Sequence, residues 1–255
     1  MTIPWPIRRM WNACLDTLFP PQERCLLCGR GTRDGQAICQ SCLQEIVHGP
    51  GPSCPRCGRS LASQPYLDGQ PLHCPFCVGK PWAFSKARSI GPYDGALRLA
   101  VHRLKFRGQQ NFGRILGDVL YRSADAEWWA GVDCIVPVPL HPDRLKQRGF
   151  NQAEIVAGQL ATSADKPMRQ ILIRHVSTHP QTGLSQRQRQ QNVQGAFCIA
   201  LGQGRWVKGK RLLVVDDVMT TGSTLDACAR VLLHAGAADV RVATLAITNL
   251  HGKDS

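Results

Sequence analysis

Two spacings of apolar residues alternate along most of this chain. Strand-length segments lie at 86–93, 132–136, 168–175, 211–215 and 240–248. Those at 132–136 and 212–215 are dense enough in Val, Ile and Leu for strands covered on both faces. Between them the apolar positions recur at helical spacing: Leu97, Val101 and Leu104; Phe112, Ile115, Leu116, Val119 and Leu120; Ile155, Val156 and Leu160; then Leu225, Cys228, Ala229, Leu232 and Leu233. The boundaries agree. Asp94 can cap the first helix, Asn151 with Glu154 makes a capping-box-like start, and Gly236 stands where a helix should stop. Pro137 and Pro139 end one strand and stiffen the loop after it. Residues 86–255 are therefore predicted to form an α/β domain with a mainly parallel, doubly wound sheet. Such sheets bind ligands at the carboxyl ends of their strands.

The first third of the chain reads differently. In residues 1–20, Trp11, Leu15 and Leu18 recur at helical spacing, which predicts a short amphipathic helix packed on the module that follows. Residues 21–82 hold few large apolar side chains but eight of the chain's 12 cysteines, in four Cys-x-x-Cys pairs: Cys25/Cys28, Cys39/Cys42, Cys54/Cys57 and Cys74/Cys77. Two-residue spacing brings both sulfurs of a pair to one metal. The cytosol keeps thiols reduced, so four-cysteine zinc sites are expected rather than disulfides. Two structural Zn2+ ions, closed to substrate, would hold a segment too poor in apolar side chains to fold on a core. Pairing in chain order gives two stacked zinc ribbons; crossed pairing, as in a RING module, is the alternative. Cys14, Cys134, Cys198 and Cys228 are isolated and read as small buried hydrophobes.

The chain has 255 residues, 43% of them hydrophobic, room for one full α/β domain and a small module. No apolar run approaches the ~18–20 residues that cross a bilayer, nor does the N-terminus hold an uninterrupted apolar signal core. No membrane span is expected, and the location expected is cytoplasmic. The formal net charge is +13. Residues 86–255 carry 23 Lys/Arg against 13 Asp/Glu, with the excess gathered at 86–107 and 144–189. Fields of this kind attract polyanions, whether diphosphates or nucleic acid. Lys105, Arg107, Arg144 and Arg148 are candidates for a face that meets single-stranded DNA.

One segment concentrates the chemistry. In "LLVVDDVMTTGSTL", four apolar residues run into Asp216 and Asp217, then into Thr220, Thr221, Gly222, Ser223 and Thr224, before the last helix. A turn of small hydroxyl residues at a helix start offers backbone N–H groups, hydroxyl donors and the positive end of the helix dipole, which suit a phosphate. The two carboxylates would repel phosphate. They accept hydrogen bonds from neutral hydroxyls and add negative charge near a magnesium ion. A diol on the acids and a phosphate on the turn make a sugar phosphate. Replacing both acids should leave the fold intact or firmer, because the pair repels itself. A bulky residue at Gly222 should crowd the backbone against the phosphate. Neither a Walker pattern nor a dinucleotide fingerprint is present.

"VVDDVMTTGST" resembles the phosphoribosyl-diphosphate (PRPP) motif of type I phosphoribosyltransferases. With "PVPLHPDRLKQRGFNQAE", "LKFRGQ" and "LSQRQRQQNVQGAF", nearly the whole chain resembles the ComF family of bacterial competence-related proteins. These join a double zinc ribbon to a type I phosphoribosyltransferase-like domain. The resemblance implies PRPP and Mg2+ as ligands, with the ribose hydroxyls on Asp216 and Asp217 and the 5′-phosphate on residues 220–224. It implies the diphosphate at the loop of Pro137, Val138, Pro139 and Arg144. A mobile loop over 178–192 would bring Arg187 and Arg189 to the departing diphosphate. The family is implicated in uptake or use of external DNA, which implies single-stranded DNA and the DNA-uptake machinery as partners. A glutamine-dependent amidophosphoribosyltransferase needs an N-terminal cysteine nucleophile. Residue 2 is Thr and Cys14 is internal, so that complete activity is not expected.

Overall fold

A computed structural model describes residues 24–32, 36–47, 53–61, 73–106, 110–175 and 195–248. The helix expected over 1–20 and the loop expected over 178–192, with Arg187 and Arg189, lie outside the described residues, as does Arg107. The chain divides into two compact units, Met1–Ile46 and Val47–Ser255. The second cysteine cluster thus belongs to the same unit as the α/β domain.

In the first unit, an antiparallel bridge between Arg24 and Gly31 closes a turn around Cys25 and Cys28. A short helix, α1 (Gln40–Ile46), carries Cys42 and follows Cys39 directly.

The larger unit is built on four parallel strands: β1 (Ala87–Pro92), β2 (Cys134–Pro137), β5 (Arg211–Met219) and β6 (Asp239–Ile247), in the order β1-β6-β5-β2. Side chains alternate between the two faces. Cys134, Val136, Leu212, Val214, Val240 and Val242 join one core with Leu225, Cys228, Ala229 and Leu232 of α8 (Ser223–His234) and with Cys54, Leu61, Cys74 and Phe84 of the cysteine-rich segment. Three helices pack together on the sheet: α2 (Gly95–Phe106), α3 (Gln110–Arg122) and α6 (Gln152–Ala164). Two short helices, α4 (Ala126–Ala130) and α7 (Gly204–Val207), precede β2 and β5. The α/β fold with a parallel sheet is as predicted.

Several details differ from the sequence reading. Cys134 and Cys228 are buried as expected, but Cys198, on a short strand with its side chain outward, is exposed, and Cys14 lies outside the described residues. The segment expected as a strand over 168–175 pairs with the main sheet only at a bridge between Ile135 and Met168. Its strand, β3 (Leu172–Arg174), pairs antiparallel with β4 (Phe197–Ile199). Further, β5 does not stop at Val215: it continues through both acids to Met219, because β6 runs beside it as far as Ile247. Finally, the capping box at α6 is half made. Asn151 accepts from the Ala153 N–H at 3.1 Å, but Glu154 accepts from the Gln170 side-chain amide.

Candidate functional site

Beyond the carboxyl ends of β2 and β5 lies an open cleft of about 430 Å³. Each wall follows from local sequence. On one side, β5 delivers Asp216 and Asp217, and the chain turns through Thr220 to Ser223 into α8. Gly222 has φ +80°, a left-handed conformation that favours glycine, and it begins α8 without a side-chain cap. The Thr221 and Ser223 hydroxyls meet at 2.9 Å.

The opposite side comes from the segment after β2. Val138 and Pro139 lead into a short helix, α5 (Pro142–Arg148), capped by His141 and ended by Gly149 at φ +82°. Arg144 and Arg148, four residues apart, stand on one side of that helix and both line the cleft. Asn151 fixes the segment: while capping α6, it donates from its side-chain amide to the Val138 carbonyl at 3.0 Å. Tyr93, just past the end of β1, Lys105 of α2 and Arg174 of β3 also line it.

Period-two alternation sends the two acids to opposite faces of β5. Asp217 pairs with Lys105 at 3.0 Å. Burial works against the Lys105 ammonium, but the attraction and hydrogen bond of Asp217 outweigh it and hold its pKa above the ordinary value. Asp216 lies toward Arg174 and Cys228 and accepts the Asp217 N–H at 2.8 Å. It keeps some accessible surface at the cleft, yet protein encloses its carboxyl. Burial first, and the Asp217 charge second, push its pKa up to about 7. The cleft holds four cationic side chains against two acids, an excess suited to a polyanion.

Of the residues singled out from sequence, Asp216, Asp217, Thr220, Gly222, Ser223, Thr224, Val138, Pro139 and Arg144 line this one cleft. Thr221 is buried behind it, and Pro137 ends β2 in register with Val215. Lys105 and Arg148, marked by charge alone as nucleic-acid candidates, also line it. Tyr93, Asn151, Gln152 and Arg174 escaped sequence reasoning; only Asn151 carried a signal, its capping pattern.

Each set of four cysteines gathers in chain order: Cys25, Cys28, Cys39 and Cys42 in the first unit, Cys54, Cys57, Cys74 and Cys77 in the second. Within each set all Sγ atoms lie within 4.8 Å of one another. A tetrahedral zinc with Zn–S bonds of about 2.3 Å needs sulfurs about 3.8 Å apart. Cys28 and Cys39 approach to 3.6 Å, Cys57 and Cys74 to 3.4 Å. The Cys39 N–H points at the Cys25 sulfur and the Cys74 N–H at that of Cys54, as thiolate ligands require. Hydrogen bonds from neighbouring thiols, Cys57 first, hold Cys54 far down, whereas Cys77 is pushed far up, chiefly by Cys54. Four such thiols ionise together only around a cation. Both clusters have the ligand set and spacing of tetrathiolate structural zinc-binding sites, and they group in chain order rather than crossed.

Among the described residues, no helix is long and apolar enough to cross a membrane. Comparison with known families matches residues 145–254 to the phosphoribosyl transferase domain and residues 14–78 to the double zinc ribbon domain. The chain is 32% identical over 229 residues to "Competence protein F" of Haemophilus influenzae, covering 88% of this chain and 96% of that one. It is 33% identical over 223 residues to "DNA utilization protein YhgH" of Salmonella typhimurium, covering 86% and 87%. With "Competence protein ComFC" of Bacillus subtilis it shares 28% over 211 residues, 80% of each chain. The chain therefore belongs to the ComF family of competence proteins, with a double zinc ribbon and a phosphoribosyltransferase-type domain.

Proposed function

We propose that this protein binds PRPP with Mg2+ in the cleft at the ends of β2 and β5, and that this binding serves the uptake or use of external DNA in the cytoplasm. The observation that carries the reading is the convergence of the two acids, the hydroxyl-rich turn and the α5 arginines on one cleft. In it the 5′-phosphate lies on the turn of Thr220, Thr221, Gly222, Ser223 and Thr224. Asp216 and Asp217 accept from the ribose hydroxyls, and the diphosphate lies toward Pro137, Val138, Pro139 and Arg144. Asp216, which makes no ion pair with Lys105, would add its negative charge near a magnesium ion entering with PRPP. Arg187 and Arg189 are assigned to the diphosphate when the 178–192 segment covers the site. Two zinc ions are held by the eight paired cysteines. The names of the competence and DNA-utilization relatives support the DNA role, with single-stranded DNA and uptake machinery as partners.

Calorimetry with PRPP and Mg2+ tests this directly. The parent should bind, and a D216N/D217N variant should lose at least tenfold in affinity, the scale of about 1.4 kcal/mol. Binding of the variant at parent strength contradicts the assignment. A catalytic form of the same reading makes the chain a phosphoribosyltransferase for a base or amine. Leaving of diphosphate would be assisted by magnesium and by the arginines, with positioning supplying the rate. Diphosphate release over a panel of acceptors separates that form from binding alone.

A further inference from the structure

We propose that Arg59, on the hairpin of the second cysteine cluster, is a positioning residue for the phosphate turn. It holds the Thr220 carbonyl out of the cleft and so fixes what the turn offers an anion. This rests on the reading of the turn as a phosphate site.

The hairpin is a closed knuckle. Ser53 bridges Ser60, the Cys54 N–H donates to the Arg59 carbonyl and the Gly58 N–H to the Cys54 carbonyl, both at 2.8 Å. Arg59 follows Cys57 by two residues and is 5% exposed. Its guanidinium carbon lies 4.4 Å from the centre of the Phe76 ring, which stands between Cys74 and Cys77. Both arms of the metal site therefore grip this side chain. From there it reaches 161 residues along the chain: Nη2 donates to the Thr220 carbonyl at 2.7 Å and Nη1 to the Thr248 carbonyl. The Thr248 N–H in turn donates to the Met219 carbonyl at 3.0 Å. Arg59 thus joins the end of β6 to the first residue of the turn.

The direction of these bonds matters. A phosphate is held by N–H and O–H groups, and any carbonyl turned toward it repels it. Arg59 does not line the cleft, whereas Thr220 does. A Thr220 carbonyl committed to Arg59 is a carbonyl kept away from the ligand. The same segment supports the rest of the turn from behind. A Cβ on Gly222 would meet the Trp82 ring at 3.0 Å and the Met219 methyl at 3.2 Å. The crowding that a side chain causes there is against this buttress, not only against a phosphate. The Ala83 N–H donates to Asp226 in the first turn of α8 at 2.6 Å, and Arg230 bonds both Asp226 and the Pro81 carbonyl. Among the described residues, Arg59 Nε is buried without a partner. Packing alone is a poor reason to retain a guanidinium with an unsatisfied N–H.

The test uses the full-length protein with R59Q and R59K. Zinc content, amide hydrogen exchange of residues 219–224 without ligand, and PRPP–Mg2+ titration are measured on each. R59Q should keep the parent's zinc, speed exchange in the turn by roughly tenfold or more while the 53–60 knuckle stays protected, and weaken PRPP by roughly tenfold to a hundredfold. R59K, which keeps the charge but only one compact donor head, should fall between. Unchanged exchange in the turn overturns the proposal, and so does loss of zinc from both variants, which would make Arg59 part of the knuckle's own fold. If the parent fails to bind PRPP, the ligand assignment fails by itself, and the exchange measurement still decides the positioning role.

Discussion

Asp216 and Asp217 are chain neighbours with opposite electrostatic situations. Asp217 has a cation at 3.0 Å, with 15% of its side chain exposed against 22% for that of Lys105. Asp216 has burial and a neighbouring acid, which raise its pKa from 3.8 to about 7. A raised carboxyl pKa means that the folded state holds the proton more tightly than the unfolded state. Its effect is therefore a loss of stability as pH rises from the ordinary value to about 7, and none beyond. Ligand-free parent should lose stability over that window, and D216N should remove this part of the slope; a denaturant series at stepped pH checks it. D217A should have the opposite sign, costing about 1–3 kcal/mol, because Lys105 stays largely buried without its acid. Removing both acids, expected from sequence to leave the fold intact or slightly firmer, therefore combines two effects of opposite sign. The adjacency of the acids was legible in sequence; the partner was not, since Lys105 lies over a hundred residues earlier and only the packing of α2 brings it here.

At the scale of elements, what could be read was what is contiguous. The strand, turn and helix from Arg211 to His234 use local signals: an apolar run, small hydroxyl residues, then helical spacing. They stand where expected, save that pairing with β6 carries β5 on to Met219. The eight cysteines were equally local, and their grouping in chain order follows from loops of 10 and 16 residues. By contrast, β3 and β4 have three residues each, too few for a pattern to say whether they join the main sheet or pair with each other. The short helix α5 was hidden under the Pro-rich loop, since Pro142 at its first turn reads equally as a loop residue. For the metal sites, purified protein should carry about two zinc ions per chain. C25S and C74S should each remove about one, by elemental analysis, and C74S should lower the melting temperature of the α/β unit because its cluster shares that unit's core. Metal-free protein that melts like the parent would sink the structural role.

For the whole molecule, net charge separated the plausible partners only coarsely. A surplus of +13 suits diphosphate and nucleic acid alike. The fold adds that Lys105, Arg144 and Arg148, chosen from sequence as a nucleic-acid face, line the same cleft as the acids and the turn. Single-stranded DNA should bind with little sequence preference and weaken steeply with salt. If these residues supply the contact, saturating PRPP with Mg2+ should displace it. Fluorescence anisotropy of a labelled oligonucleotide reads both; binding indifferent to salt contradicts a direct electrostatic role. One cleft, assembled from β2, β5 and the segments after them, should hold PRPP. A crystal structure of the protein grown with PRPP and Mg2+ tests it most directly. The 5′-phosphate should lie on the turn of residues 220–224, the ribose hydroxyls at Asp216 and Asp217, and the diphosphate toward Arg144. PRPP bound elsewhere, or with its diphosphate on the turn, would contradict it.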